Sequence, residues 1–121
     1  MAIMPKPPSR GEVWYVKLPT DPADKTARPV IVVSDDSRNH HPKAETVLVV
    51  PLTTMIHREV PTHIYLSPGE TGLQEQSSAR AEDITTIRKR SLEEPKARLR
   101  RLSHSRVCEL ADKVKIAMGC Y

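Results

Sequence analysis

The sequence predicts a small, mainly β (α+β) protein, a barrel-like sheet with one C-terminal α-helix packed on it. Three observations carry that expectation. Short runs rich in valine, tyrosine and tryptophan recur about every ten residues, the spacing of strands in small all-β domains. Clusters of proline, glycine and aspartate punctuate them. Only the last segment has helical period: Val107, Leu110, Ala111, Val114, Ala117 and Met118 recur at steps of three and four. A helix with one apolar stripe has to bury it, and the sheet is the only surface available.

The elements follow in chain order. Residues 1–9 carry Pro5, Pro7 and Pro8 and read as a disordered, proline-rich lead-in. Residues 10–121 read as a single domain, a size that buries a core without staples. "RGEVWYVKL" (10–18) alternates and is a strand; "PTDPADKTA" (19–27) is a loop. "PVIVVS" (29–34) is a second strand, with Pro29 at its first position, where no ladder donor is needed. "DDSRNHHPKAE" (35–45) is a polar loop. "TVLVVPLTT" (46–54) is a third strand, buried on both faces until Pro51 disrupts its ladder. "EVPTHIYLS" (59–67) is a fourth, "PGETG" (68–72) a turn, and "SSARAEDITTI" (77–87) contains a short strand; "ARLRRLS" (97–103) is a candidate for one more. Ser103 or Ser105 caps the final helix, Glu109 and Lys113 form an i,i+4 pair, and Gly119 ends it.

Composition narrows the function. No apolar run approaches the roughly 20 residues of a membrane span. The prolines near the start replace the apolar core of a secretory signal, so the expected location is cytoplasmic. Cys108 and Cys120 form no metal-ligand spacing. The net charge of +4 suggests an anionic partner. Between residues 86 and 106, eight basic residues (Arg88, Lys89, Arg90, Lys96, Arg98, Arg100, Arg101 and Arg106) face only Glu93 and Glu94. Such a run serves either as a solvated face or as a surface for a polyanion. With Trp14, Tyr15, Tyr65 and Tyr121 as the only aromatics, base stacking on several rings is a poor candidate mode.

The chemistry-bearing residues give few motifs. Five histidines show neither HxxxH nor HExxH spacing, and no GxSxG elbow or phosphate-cradling glycine loop occurs. No metal and no cofactor is expected. Arg28 stands out, because it precedes Pro29 at the mouth of the most apolar run in the chain. A guanidinium there offers a planar, permanently charged fork that suits phosphate. A salt bridge to a loop acid such as Asp21 or Asp24 would use it equally well.

The ordered set "RGEVWYV", "RPVIVVSDD", "VVPLTT", "PTHIYLS", "SSARAEDITTI" and "RLSHSRVCELADKVKIAMG" resembles the MazF/PemK family of bacterial toxins across residues 10–119. Each motif is short; six in the right order and spacing are specific. The resemblance implies an SH3-like barrel with a C-terminal helix. It also implies the toxin of a type II toxin–antitoxin system, a sequence-selective, metal-independent endoribonuclease acting on single-stranded RNA. Its partners would be a cognate antitoxin and a second copy of the chain in a homodimer. On this resemblance the catalytic pair falls on Arg28 and Thr53, the attacking group being the RNA's own 2′-hydroxyl. RNA-binding roles fall on Asp24, Lys25, Thr54, Arg80, Glu82 and Asp83. The chain departs from the family where many relatives carry Gly-Ser-Glu before the arginine; here the loop is "PTDPADKTA". Two other readings stay open at this point. One is a non-catalytic toxin of the same barrel that poisons gyrase through its C-terminal helix, the other a nucleic-acid-binding regulator that uses the 86–106 cluster.

Overall fold

A computed structural model describes residues 6–19, 21–22, 26–95 and 100–120. Six strands form one antiparallel sheet: β1 (Val13–Val16), β2 (Arg28–Val32), β3 (Thr46–Thr53), β4 (His63–Leu66), β5 (Ser77–Arg80) and β6 (Thr85–Arg88). The path runs β1-β2-β3-β5-β4, and β6 branches from β3. The final helix, α3 (His104–Met118), packs on β4 and on the 3-10 turn Ala81–Asp83.

The valine-rich runs are continuous because β1, β2 and β3 feed two cores with alternate residues. Val13, Ile31, Val50 and Leu52 join Leu66, Val107 and Leu110 in the core beneath α3. Trp14, Val16, Val30, Val32, Val47 and Val49 enter a second core with Ile87. Successive side chains point to opposite faces, so a strand buried on both has no polar position to spare. The "GEVW" segment is held by a buried acid: Glu12 Oε1 accepts from Trp14 Nε1 at 3.1 Å and from Ser9 N at 2.6 Å. The outer edge of β1 is covered by the chain before α3. Tyr15 and Glu93 exchange backbone bonds of 2.9 and 2.7 Å, and Val13 N donates to Arg100 O at 3.1 Å. That cover blunts an edge otherwise open to pairing with another chain.

Pro51 does not end its strand. The backbone groups of Leu48 face β2, since Leu48 O accepts from Val33 N, so by alternation those of Pro51 face the other edge. On that edge β6 pairs only up to Val49 and β5 begins at Leu52. The missing N–H therefore falls where β3 exchanges one partner for another.

At several points the structure departs from the local signals. The 35–45 stretch contains a short helix, α1 (Asp36–Asn39), capped by Asp35, whose carboxylate accepts from Ser37 N at 3.0 Å. Its Asn39 is fully buried and donates to Ser34 O at 2.8 Å. "PGET" is likewise one helical turn, α2 (Pro68–Thr71), closed by Gly72 at φ +77. The fourth strand begins only at His63, after Pro61. In the 97–103 run, residues 97–99 lie outside the described residues, and Arg101 makes a single bridge with Glu12. In α3, Ser103 caps and Gly119 terminates as expected, but Glu109 pairs with Arg106 at 2.7 Å rather than with Lys113. The outer part of the apolar stripe stays uncovered: Ala111 and Ala117 are exposed, and Met118 is 71% exposed.

The basic run of residues 86–106 is partly structural. Lys89 Nζ donates to the carbonyls of Arg38 and His41 at the end of α1. Arg101 pairs with Asp36 at 3.4 Å. Arg106 ties α3 to the sheet through Glu70 at 2.8 Å and the Tyr65 carbonyl.

Candidate active site

Arg28 opens β2 and Thr53 closes β3. The two strands pair Val32 with Val49, Ile31 with Val50 and Val30 with Pro51. The ladder stops there; beyond it Arg28 pairs with Val16 of β1 and Thr53 with Ser78 of β5. Each residue lies two positions past the last shared pair and so on that pair's face of its strand, and both line an open groove of about 780 Å³. The guanidinium escapes burial because the strand mouth, unlike the strand centre, borders this groove; its side chain is 25% exposed.

A loop acid meets it. Asp21 N donates to Leu18 O at 3.0 Å, closing a turn just after β1 that brings the Asp21 carboxylate to 3.4 Å from Arg28 Nη2. The Asp21 side chain is only 12% exposed, and its Oδ2 has no hydrogen-bond partner among the described residues. Thr53 Oγ1 accepts from Met55 N at 3.2 Å, which fixes the chain as it leaves β3 and leaves the hydroxyl proton free to donate.

Thr54 and Arg80 also line the groove. Glu82 and Asp83 do not; they stand behind Arg80 and hold it. Arg80 Nε lies 3.1 Å from Asp83 Oδ2 and 3.8 Å from Glu82 Oε2. Burial works against ionisation of Glu82, but hydrogen bonds from His63 Nε2 (2.9 Å), its own backbone N–H and Thr62 Oγ1 (3.0 Å) outweigh it. Its pKa accordingly lies below the usual carboxylate value. Asp24 and Lys25 lie outside the described residues. Sequence reasoning missed Tyr15, Gln74, Glu75 and Ser77, which also line the groove. Tyr15 had a signal, since it alternates with the core residues Trp14 and Val16 and so points the other way. Gln74 and Glu75 come from an irregular connection with no periodicity to betray them. Tyr15, Ala27, Leu73 and Gln74 also line an adjoining cavity of about 500 Å³ that reaches Glu93, Glu94 and Arg100, so the groove continues past the Arg28 site. Among the described residues no helix is long and apolar enough to cross a membrane.

Together these features define a small antiparallel barrel with a terminal helix and an arginine–threonine groove at the junction of two central strands. The chain belongs to the PemK-like, MazF-like toxins of type II toxin–antitoxin systems, whose family model matches residues 9–118. It is 34% identical over 119 residues to endoribonuclease MazF9 of Mycobacterium tuberculosis, covering 93% of this chain and 97% of the relative. It is 29% identical over 113 residues to endoribonuclease MazF of Staphylococcus epidermidis, covering 91% and 90%. Among solved structures it is similar to an endoribonuclease from a mycobacterial species, with 26% identity, TM-score 0.70 and coverage of 94% and 93%. A mycobacterial endoribonuclease in complex with its cognate antitoxin shares the fold, with TM-score 0.71, 24% identity and coverage of 94% and 97%.

Proposed function

We propose that this protein is the toxin of a type II toxin–antitoxin pair and a metal-independent, sequence-selective endoribonuclease for single-stranded RNA, with Arg28 and Thr53 as its catalytic pair. The observation that carries the reading is the presence of Arg28 and Thr53, at the ends of neighbouring strands, in one open groove, on a chain 34% identical to a named endoribonuclease. Arg28 grips the scissile phosphate and stabilises the charge that builds on its oxygens, and the Thr53 hydroxyl donates to the same phosphate. The ribose 2′-oxygen attacks the adjacent phosphorus as the bond from phosphorus to the 5′-oxygen breaks. The ends left are a 2′,3′-cyclic phosphate and a 5′-hydroxyl. Thr54 and Arg80, together with Asp24 and Lys25, bind the flanking RNA, while Glu82 and Asp83 orient Arg80.

The remaining assignments rest on family membership. They are a cytoplasmic location, one domain over residues 10–121, a cognate antitoxin as partner, and a homodimer that covers the exposed stripe of α3. A groove with room for an extended strand supports the RNA reading over that of a gyrase poison, which has no need of Arg28 and Thr53. Incubation with a long defined RNA in excess chelator tests the function. Cleavage with 5′-hydroxyl ends is the expected result. Cleavage lost in EDTA and restored by metal overturns the mechanism, and an Arg28→Ala protein that stays fully toxic overturns the enzyme.

A further inference from the structure

The carboxylate beside Arg28 is built unlike the structural acids of this protein. Glu12 is similarly buried, its side chain 8% exposed, and both its oxygens are satisfied, Oε1 by Ser9 N and Trp14 Nε1 and Oε2 by Lys6. Asp21 has one ion pair at 3.4 Å through Oδ1, and its buried Oδ2 meets no donor among the described residues. A buried acceptor left without a donor is costly. Asp21 lines the groove where a ligand would lie, and the cost is offset when a ligand that takes the Arg28 guanidinium lets the carboxylate turn to it and supplies the donor.

The ligand must then bring two things to adjacent points: an anion for Arg28 and a hydrogen-bond donor for Asp21 Oδ2. Phosphate oxygens only accept, so phosphate alone leaves Asp21 unsatisfied and repels it. A ribonucleotide places a 2′-hydroxyl next to its own 3′-phosphate, and DNA lacks that hydroxyl. We infer that Asp21 is a third catalytic residue: its Oδ2 accepts the 2′-hydroxyl proton of the nucleotide whose 3′-phosphate is held by Arg28. The inference rests on the nuclease reading above and adds the base that reading lacked. In the step, the 2′-oxygen loses its proton to Asp21 as its bond to phosphorus forms. The bond from phosphorus to the 5′-oxygen breaks, the 5′-oxygen takes a proton from water, and Asp21 returns its proton to water. The same contact makes Asp21 a discriminator of RNA from DNA at the cut.

Two measurements test this. In single-turnover cleavage, Asp21→Asn lowers the rate about 10²-fold or more, the usual contribution of a positioned base. It binds an oligonucleotide with one 2′-deoxynucleotide at the cut at least as tightly as the wild type does, since that ligand offers Asp21 no donor and the variant no longer repels its phosphate. A thermal melt shows that the variant is folded. The second measurement needs no variant: the wild-type protein binds an oligonucleotide with a 2′-amino group at the cut, which donates, about tenfold tighter than the 2′-fluoro version, which cannot. Near-normal cleavage by Asp21→Asn, or equal binding of the two analogues, overturns the proposal. Faster cleavage by Asp21→Asn also overturns it, and would make Asp21 a mere competitor for Arg28. A wild-type protein that cuts no RNA removes the nuclease reading and takes this proposal with it, whereas wild-type cleavage undiminished in Asp21→Asn removes this proposal alone.

Discussion

Arg28 and Thr53 end two adjacent antiparallel strands, each two residues beyond Val30–Pro51, the last pair of their shared ladder, and both line the same groove. A shared groove lets an arginine fork and a threonine hydroxyl address one phosphate. Each is held by a strand pairing rather than by a loop, Arg28 opposite Val16 and Thr53 opposite Ser78, which gives the positional control that transition-state stabilisation requires.

The Asp21 ion pair changes what removing Arg28 should do. Considered as a phosphate ligand alone, Arg28 would be dispensable for folding. In the fold, Arg28→Ala strands a nearly buried carboxylate, and the expected loss is about 1–3 kcal/mol of stability together with 10²-fold or more of cleavage. Adding Asp21→Asn should return most of the stability and none of the activity. Arg28→Lys should restore cleavage poorly, since a point charge does not reproduce the fork. Denaturant melts run beside a cleavage assay check all three, and an unchanged melt for Arg28→Ala would deny the pair any structural weight.

Thr53 separates in the same way. Its Oγ1 accepts from Met55 N, so Thr53→Val, which keeps the shape and loses the hydroxyl, should cost about 1 kcal/mol of stability and tenfold or more of cleavage. Thr53→Ser should keep most of both. Equal cleavage by the valine and serine variants would remove the hydroxyl from the mechanism.

Gly11 should be less replaceable than Gly119. It stands at φ +92, and a Cβ there would meet the Leu102 carbonyl oxygen at 2.8 Å, a backbone atom that cannot swing aside. Gly119 has a similar φ of +78 with open space around it. Gly11→Ala should therefore cost about 2 kcal/mol or more, and Gly119→Ala about 1 kcal/mol, the conformational part alone. Equal losses in urea unfolding would count against the Leu102 contact.

Acid should loosen the molecule at two acids. Burial opposes ionisation of Glu70, but hydrogen bonds from Ser67 N and Arg106, together with the Arg106 charge, overcome it and hold the pKa below 4.5; Glu82 is held low by its neighbours in the same way. For a carboxylate depressed on folding, the unfolded chain binds the proton more readily. The stabilisation is thus present above the ordinary value and is lost as pH falls through the folded one. Stability should decline as pH drops below about 4.5, and Glu70→Gln should flatten part of that decline while lowering stability at neutral pH. A melt series from pH 7 to pH 3 that showed identical slopes for Glu70→Gln and the wild type would refute the assignment.

The layout of the fold was legible along the chain. Valine-rich runs with punctuating prolines marked the strands, the 3–4 spacing of Val107 to Met118 marked α3, and six short motifs in order marked the family. These are signals of local period and residue type, which neighbours along the chain carry. Short helices such as Asp36–Asn39 escaped because four residues hold less than two turns of pattern, and they stand on a cap and a buried asparagine instead. The groove was legible only at Arg28 and Thr53, and their role came from likeness, not from the residues' own pattern. The fold alone reveals that Asp21, seven positions before Arg28 in a loop, meets it with one oxygen and keeps the other buried with no donor among the described residues. It also reveals that three of the eight basic residues between 86 and 106 serve Asp36, Glu70 and the end of α1. Burial, pairing and the lack of a partner are properties of atoms brought together from distant positions, and no local pattern encodes which carboxylate keeps a buried oxygen without a donor.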